Sequence, residues 1–265
     1  MVWALEPTVL DSLVQVVSRH DAGTRLSDEE IRAAIGRAPG ARVDTGYRVE
    51  NGVGIVPISG VIAKYASQVN DVSQSEGTSC DMILQDMRQA LADPNVHAIL
   101  LQIESPGGAV DGVADTASII RDAAKIKPVV AFIDDMGASA AYWMACQAGT
   151  VYATATAVVG SIGVRTVMVD TSEQTKARGL VVHSIASGPA KAVGQPGVSI
   201  SPEDRAVVQE RVNSLAAIFF SCVQSGRDLS SDELASVTDG RVWIGEQAQA
   251  KGLIDGVRTY DAVMA

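Results

Sequence analysis

Residues 128–149 read "PVVAFIDDMGASAAYWMACQAG". "VVAF" is short, apolar and strand-like, and "SAAYWMACQAG" reads as a helix that stops at Gly149. Between them Ser139 stands among Gly137, Ala138, Ala140 and Ala141. Such a row can serve close packing of a helix on a sheet, with Ser cheap at a helix start. It can also surround a nucleophilic hydroxyl with side chains small enough to admit a substrate.

The pattern repeats outward from this point. "VGIVPISGVIA", with a bend at Gly60, and "HAILLQIES" are apolar strands before it. Between them "CDMILQDMRQALADPNV" is an amphipathic helix stopped by Pro94. "PGG" follows "HAILLQIES" as a turn, then a helix over about 109–125. Downstream come the strand "TVYAT", then "VVGSIGV" and "RTVMVD", a helix, the apolar run "LVVHSIAS" and a long helix over 202–226. Apolar strands alternating with helices predict a layered α/β domain with its sheet covered on both faces. Before it, Leu5, Val9, Leu13 and Val16 fall near helical spacing. "SDEEIRAAIG" offers Ser27 and Glu30 as a capping box, and residues 36–52 read as a linker. The expected division is a helical arm and linker over 1–50 and a main domain over 51–265.

Composition narrows the function. The 265 residues carry a formal net charge of −10, which disfavours nucleic acid as a partner. Cys80, Cys146 and Cys222 make no CxxC pair, so neither a zinc site nor a disulfide framework is expected. The first twenty residues lack the form of a secretory signal, and no uninterrupted apolar run has the length of a membrane span. The expectation is a soluble, cytoplasmic protein with no metal and no cofactor.

A serine nucleophile needs a base, an oxyanion hole and access. Of the three histidines, His20 lies in the arm, His97 opens a strand and His183 sits in an apolar run, so a His-based triad has little support. A lysine base must be neutral at working pH, which asks for desolvation or nearby positive charge. Of the six lysines, Lys64, Lys125, Lys127, Lys176 and Lys251 sit at element ends or on polar surfaces. Lys191, in "ASGPAKAVG", is surrounded by small residues and can fold inward, although an exposed loop lysine fits the same composition. In "ESPGGAV", Gly107 and Gly108 can expose backbone amides between a strand and a helix start, as a plain βα turn also would.

In this order "ESPGG", "MGASAAYWMA", "VVGSIGV" and "SGPAKA" resemble the signal peptide peptidase A family of serine peptidases, over about Val53 to Val257. The resemblance implies a Clp protease/crotonase-like fold of repeated ββα units. It implies Ser139 as nucleophile, Lys191 as general base and Ser161 of "GSIG" as the residue orienting the lysine amine. Gly107 and Gly108, with the Ala140 amide, would form the oxyanion hole. Ala140-Ala141 departs from the Gly-Gly that many members carry after the serine. No membrane anchor like that of signal-peptide-degrading members is expected, and "VWALEPTVLDSLVQVV" resembles the soluble phage and prophage members that act as head maturation proteases. That branch implies scaffold and capsid proteins as substrates and an assembling shell in the host cytoplasm as setting. Single-domain members of the family form homo-oligomeric rings, which leaves two arrangements open, Lys191 meeting Ser139 of its own chain or of a neighbouring one. Two other readings stand beside it. A Gly-Gly oxyanion turn also suits a crotonase-type acyl-CoA enzyme, although no paired catalytic Glu is visible. A catalytically dead capsid-assembly scaffold would not need Ser139, Ser161 and Lys191 intact.

Overall fold

The structure, a computed structural model, describes residues 3–5, 46–65 and 77–265. Its strands join one ten-stranded sheet. The sheet is built around β3 (Val53–Ala63), β5 (Ala98–Ala109), β6 (Val129–Ala138) and β7 (Thr150–Ala153), paired in parallel in that order. Four short strands extend it: β1 (Trp3–Leu5), β2 (Arg48–Glu50), β4 (Thr78–Ser79) and β8 (Val158–Gly160). Two more, β9 (Val242–Ile244) and β10 (Gly256–Val257), return from late in the chain to pair with β8 and β7. Ile99, Leu101, Ile103, Ala131 and Ile133 are fully buried, as a sheet covered by helices requires.

The helices follow the sequence pattern closely. In α1 (Cys80–Ala92), Cys80, Ile83, Met87 and Ala90 face inward at helical spacing, and Ser79 Oγ caps the start by accepting from the Met82 N–H at 3.2 Å. Next come α2 (Val113–Ala123), α3 (Ala140–Ala145), α4 (Ser172–Ala177) and the long α5 (Pro202–Arg227). Short helices α6 (Ser231–Ala235), α7 (Gly245–Ala250) and α8 (Tyr260–Met264) close the chain. Only Phe219 and Val223 of α5 are buried. Phe219 stacks on Trp143 of α3 with ring centroids 4.4 Å apart and planes at 4°. By length and apolarity α5 contains a window that could cross a membrane, with a mean hydropathy of 1.2. Its first half carries Glu203, Asp204, Arg205, Glu210 and Arg211.

Several expectations change. The capping box at Ser27, and Val9, Leu13 and Val16 of the arm, lie outside the described residues. Trp3–Leu5, expected in a helix, is a strand paired antiparallel to β5, because an open sheet edge satisfies its backbone. Residues 48–50, expected in a linker, form a hairpin with β3. Its turn is Asn51-Gly52, both at positive φ (52° and 80°), a two-residue hairpin signal inside the linker-like composition of residues 36–52. The anticipated bend at Gly60 is present, with φ of 64° and a register shift between Ser59 and Val61. "PGG" is no tight turn. The strand runs on to Ala109, and α2 begins only at Val113. The run "LVVHSIAS" is not a strand, and Val181 and Ile185 are 76% and 97% exposed. Among the described residues nothing along it offers the ladder that an apolar extended segment needs.

One ion pair ties the late strands to the centre. The Arg227 guanidinium donates to both Asp255 oxygens, at 3.0 and 2.9 Å, and the Val151 N–H donates to the same carboxylate at 2.7 Å. Burial works to raise the Asp255 pKa, but Arg227 and the Val151 amide outweigh it, leaving the carboxyl below its usual range. A depressed carboxylate contributes stability that is present above its unfolded pKa of about 3.9 and is lost as pH falls through the folded value. Asp255→Asn should therefore lower stability at pH 7 by about 1–2 kcal/mol, since the carboxylate is partly solvent-screened. The difference from wild type should shrink on acidification below about pH 4. A gap in chemical denaturation that persists at pH 3 would show that the charge is not responsible.

Candidate active site

Ser139 lies where β6 turns into α3. Its backbone sits at φ 54° and ψ −117°, a conformation that costs a non-glycine residue about 1–3 kcal/mol. The turn is held on both sides: the Ser139 N–H donates to the Gly160 carbonyl at 2.8 Å, and the Trp143 N–H donates to the Ser139 carbonyl at 2.8 Å. The side chain is 1% exposed, and its Oγ is buried with no hydrogen-bond partner among the described residues. A buried hydroxyl left unpaired costs about 1–3 kcal/mol. Strain and an orphan hydroxyl thus meet in one residue.

Ser161 mirrors it on the adjacent strand. Ala138 of β6 pairs with Gly160 of β8, so each serine follows a member of the same pair. Ser161 also has positive φ, 51°, and its N–H donates to the Arg241 carbonyl at 2.8 Å. It lines a cleft of about 480 Å³, whose other walls include Val164, Asn213, Phe220 and Asp239. Gly160 itself has φ of 120°, and a Cβ there would stand 2.8 Å from the Trp243 ring.

The two glycines of "ESPGG" differ in situation. Gly107 has φ of 97°, and its N–H donates to Ser105 Oγ at 3.1 Å, while that hydroxyl donates to the Gly60 carbonyl at 2.6 Å. Gly108 is imposed by packing, because a Cβ would lie 1.8 Å from the Ile62 carbonyl oxygen. Ala140 is the first residue of α3, so its N–H has no partner within the helix. The helix is only six residues long, so the dipole it lends to its N-terminus is small.

Lys191 lies in a 3-10 turn, Pro189–Ala192, with an exposed side chain. Within one chain it makes no hydrogen bond to Ser139 Oγ. The fold thus brings Ser139 and Ser161 to adjacent strand ends, and Lys191 is exposed and not hydrogen-bonded to Ser139. It sits in a stretch whose apolar side chains also face solvent, with Val169 and Leu180 66% and 58% exposed. His97 and His183 are exposed as well, and His20 lies outside the described residues. The other buried nucleophile near the site is inert: burial pushes the Cys146 thiol up to about 12, so almost none is thiolate at neutral pH.

Comparison with known proteins agrees in direction. The profile of peptidase family S49 matches residues 121–265. Capsid assembly protease C of Escherichia phage lambda is 31% identical over 258 residues, 96% of this chain and 57% of the relative. Head-tail preconnector protein GP5 of Enterobacteria phage P21 is 31% identical over 253 residues, 95% of this chain and 49% of the relative. A putative signal peptide peptidase SppA from Enterococcus faecium is 28% identical over 204 residues, 76% of this chain and 58% of the relative. The chain thus spans about half to three fifths of the length of these relatives.

Proposed function

The chain belongs to peptidase family S49, and we propose that it is a serine endopeptidase with Ser139 as nucleophile and Lys191 as general base. The observation that carries this reading is Ser139 itself, a strained residue at a strand-to-helix junction whose buried hydroxyl has no partner among the described residues. Strain of this kind persists only where surrounding structure enforces it, and it gathers at reacting groups. In the proposed reaction neutral Lys191 takes the proton from Ser139 Oγ, which attacks the peptide carbonyl carbon. The lysine ammonium then gives that proton to the departing amine, and a water activated by the same base hydrolyses the ester. Ser161 orients the amine. The N–H groups of Gly108 and Ala140 face the developing oxyanion, joined by Gly107 once its amide leaves Ser105 Oγ.

The base must then come from elsewhere than the same chain's present arrangement. We assign it to a neighbouring copy. The exposed apolar side chains of residues 167–185 and the largely exposed α5 are surfaces that assembly would cover. A homo-oligomeric ring satisfies this with one repeated contact. The parallel strands β3, β5 and β6, each followed by a helix or a helical turn, support a Clp protease/crotonase type of fold. The names of the phage relatives support scaffold and capsid proteins as substrates, met in the host cytoplasm inside an assembling shell.

Incubation of the protein with denatured casein, followed by mass spectrometry, should yield new peptide ends. A fluorophosphonate should attach at Ser139. Labelling at a different serine, with cleavage intact, would reassign the nucleophile.

A further inference from the structure

The edge of β5 next to Ser139 is occupied by the chain itself. On one side of β5, β3 pairs as far as Ile62 with Gly108. On the other side, pairing with β6 ends at Ser105 with Gly137. Two residues beyond that pair stand Gly107 on β5 and Ser139 on β6, and there β6 turns away into α3. The backbone of Gly107, Gly108 and Ala109 is thereby left open on the Ser139 side. β1 fills this opening as an antiparallel strand, with Leu5 opposite Gly107, Ala4 opposite Gly108 and Trp3 opposite Ala109.

Chain direction gives the pairing a meaning. β1 runs from the Ala109 row towards the Gly107 row, so its carboxyl end, Leu5, arrives at the row where Ser139 leaves the sheet. A peptide cut by Ser139 must bring the carbonyl of its acyl half to that place. An extended substrate adding to this edge would make the same backbone ladder, in the same polarity. Resting on the assignment of Ser139 as nucleophile, we propose that Trp3–Leu5 is an internal pseudo-substrate: it occupies the acyl-side peptide slot, and a protein substrate must displace it to be cut. Recognition through backbone groups would accept any extended, unfolded segment.

Successive N–H groups of a strand point to opposite sides, so replacing both Trp3 and Ala4 by Pro removes any ladder donor between them and disfavours pairing. In the full chain, Trp3→Pro/Ala4→Pro should lower KM for fluorescein-labelled casein about tenfold with kcat unchanged, since the binding-competent fraction rises. Fluorophosphonate labelling of Ser139 should quicken by a similar factor, and hydrogen exchange at residues 105–110 should speed up. The peptide acetyl-Trp-Ala-Leu-amide should slow labelling of the variant competitively, and of wild type only at higher concentration. Unchanged KM, labelling rate and exchange in a variant that melts as wild type does would overturn the proposal. So would a peptide that competes in neither protein, a result that stands even if the variant misfolds. Ser139→Ala is the separate control: casein cleavage surviving there refutes the nucleophile assignment, whereas its loss with no effect at Trp3 and Ala4 refutes only the pseudo-substrate.

Discussion

Ser139→Ala should lose on the order of 10⁴-fold or more of its peptidase rate and yet unfold at a higher temperature than wild type. The activity loss follows from removing the attacking atom, for which deletions in other serine peptidases cost up to about 10⁶. The gain in stability follows from the same atom, because the hydroxyl is buried without a partner among the described residues. Relieving it should add about 1 kcal/mol, which is roughly 2–4 °C in a domain of this size. Ser139→Gly should add more, since glycine adopts φ 54° without the Cβ strain, against a smaller entropic cost of glycine in the unfolded chain. The order Gly, Ala, wild type in melting temperature, with both variants inactive, is the expected result of scanning calorimetry paired with casein digestion. A destabilised Ser139→Ala would mean that its hydroxyl has an unseen structural partner, and full activity would end the nucleophile assignment.

Mixing two dead variants should restore activity. Lys191→Ala and Ser139→Ala should each lose on the order of 10⁴-fold alone. If the base comes from a neighbouring copy, a site works when its serine belongs to a Lys191→Ala chain and the adjacent copy is a Ser139→Ala chain. Random assembly then gives about a quarter of the wild-type rate, the product of two even chances. The mixture must be dissociated and reassembled, with co-assembly verified by native mass spectrometry. Verified mixed assemblies that stay inactive would place the lysine within the same chain, reached by a rearrangement of residues 164–200.

The sheet's centre was legible because its information is local. In "HAILLQIES" and "PVVAFIDD" each apolar residue reports burial by its own hydropathy, and Pro94 and Gly149 mark ends through backbone chemistry. The long helix over 202–226 was readable for the same reason, and in the structure Ser201 and Asp204 form the capping box where Pro202 begins it. The misread segments all depend on a partner distant in the chain. Trp3–Leu5 has no strand signature of its own and becomes one because β5 offers an edge over 100 residues away. "LVVHSIAS" has the signature and lacks the edge. Ser139 could be singled out from its small neighbours, but its positive φ arises from the bond of its N–H to Gly160. Placement of Lys191 relative to Ser139 was beyond the sequence for a similar reason, since the exposed turn that carries it packs on little within its own chain.

The Tyr142 hydroxyl, on the helix that follows Ser139, donates to the Leu253 carbonyl at 2.7 Å across 111 residues of chain. Val151, on the strand after that helix, is bound by Asp255, and β7 is completed by Gly256 and Val257. During translation the ribosome makes Ser139 long before it makes any of these clamps. The serine's helix therefore cannot be locked in place on a growing polypeptide. On the reading of Ser139 as a nucleophile, a newly started copy cannot act until residues 253–257 have been made and have left the ribosome, so the order of codons acts as a timer on the site.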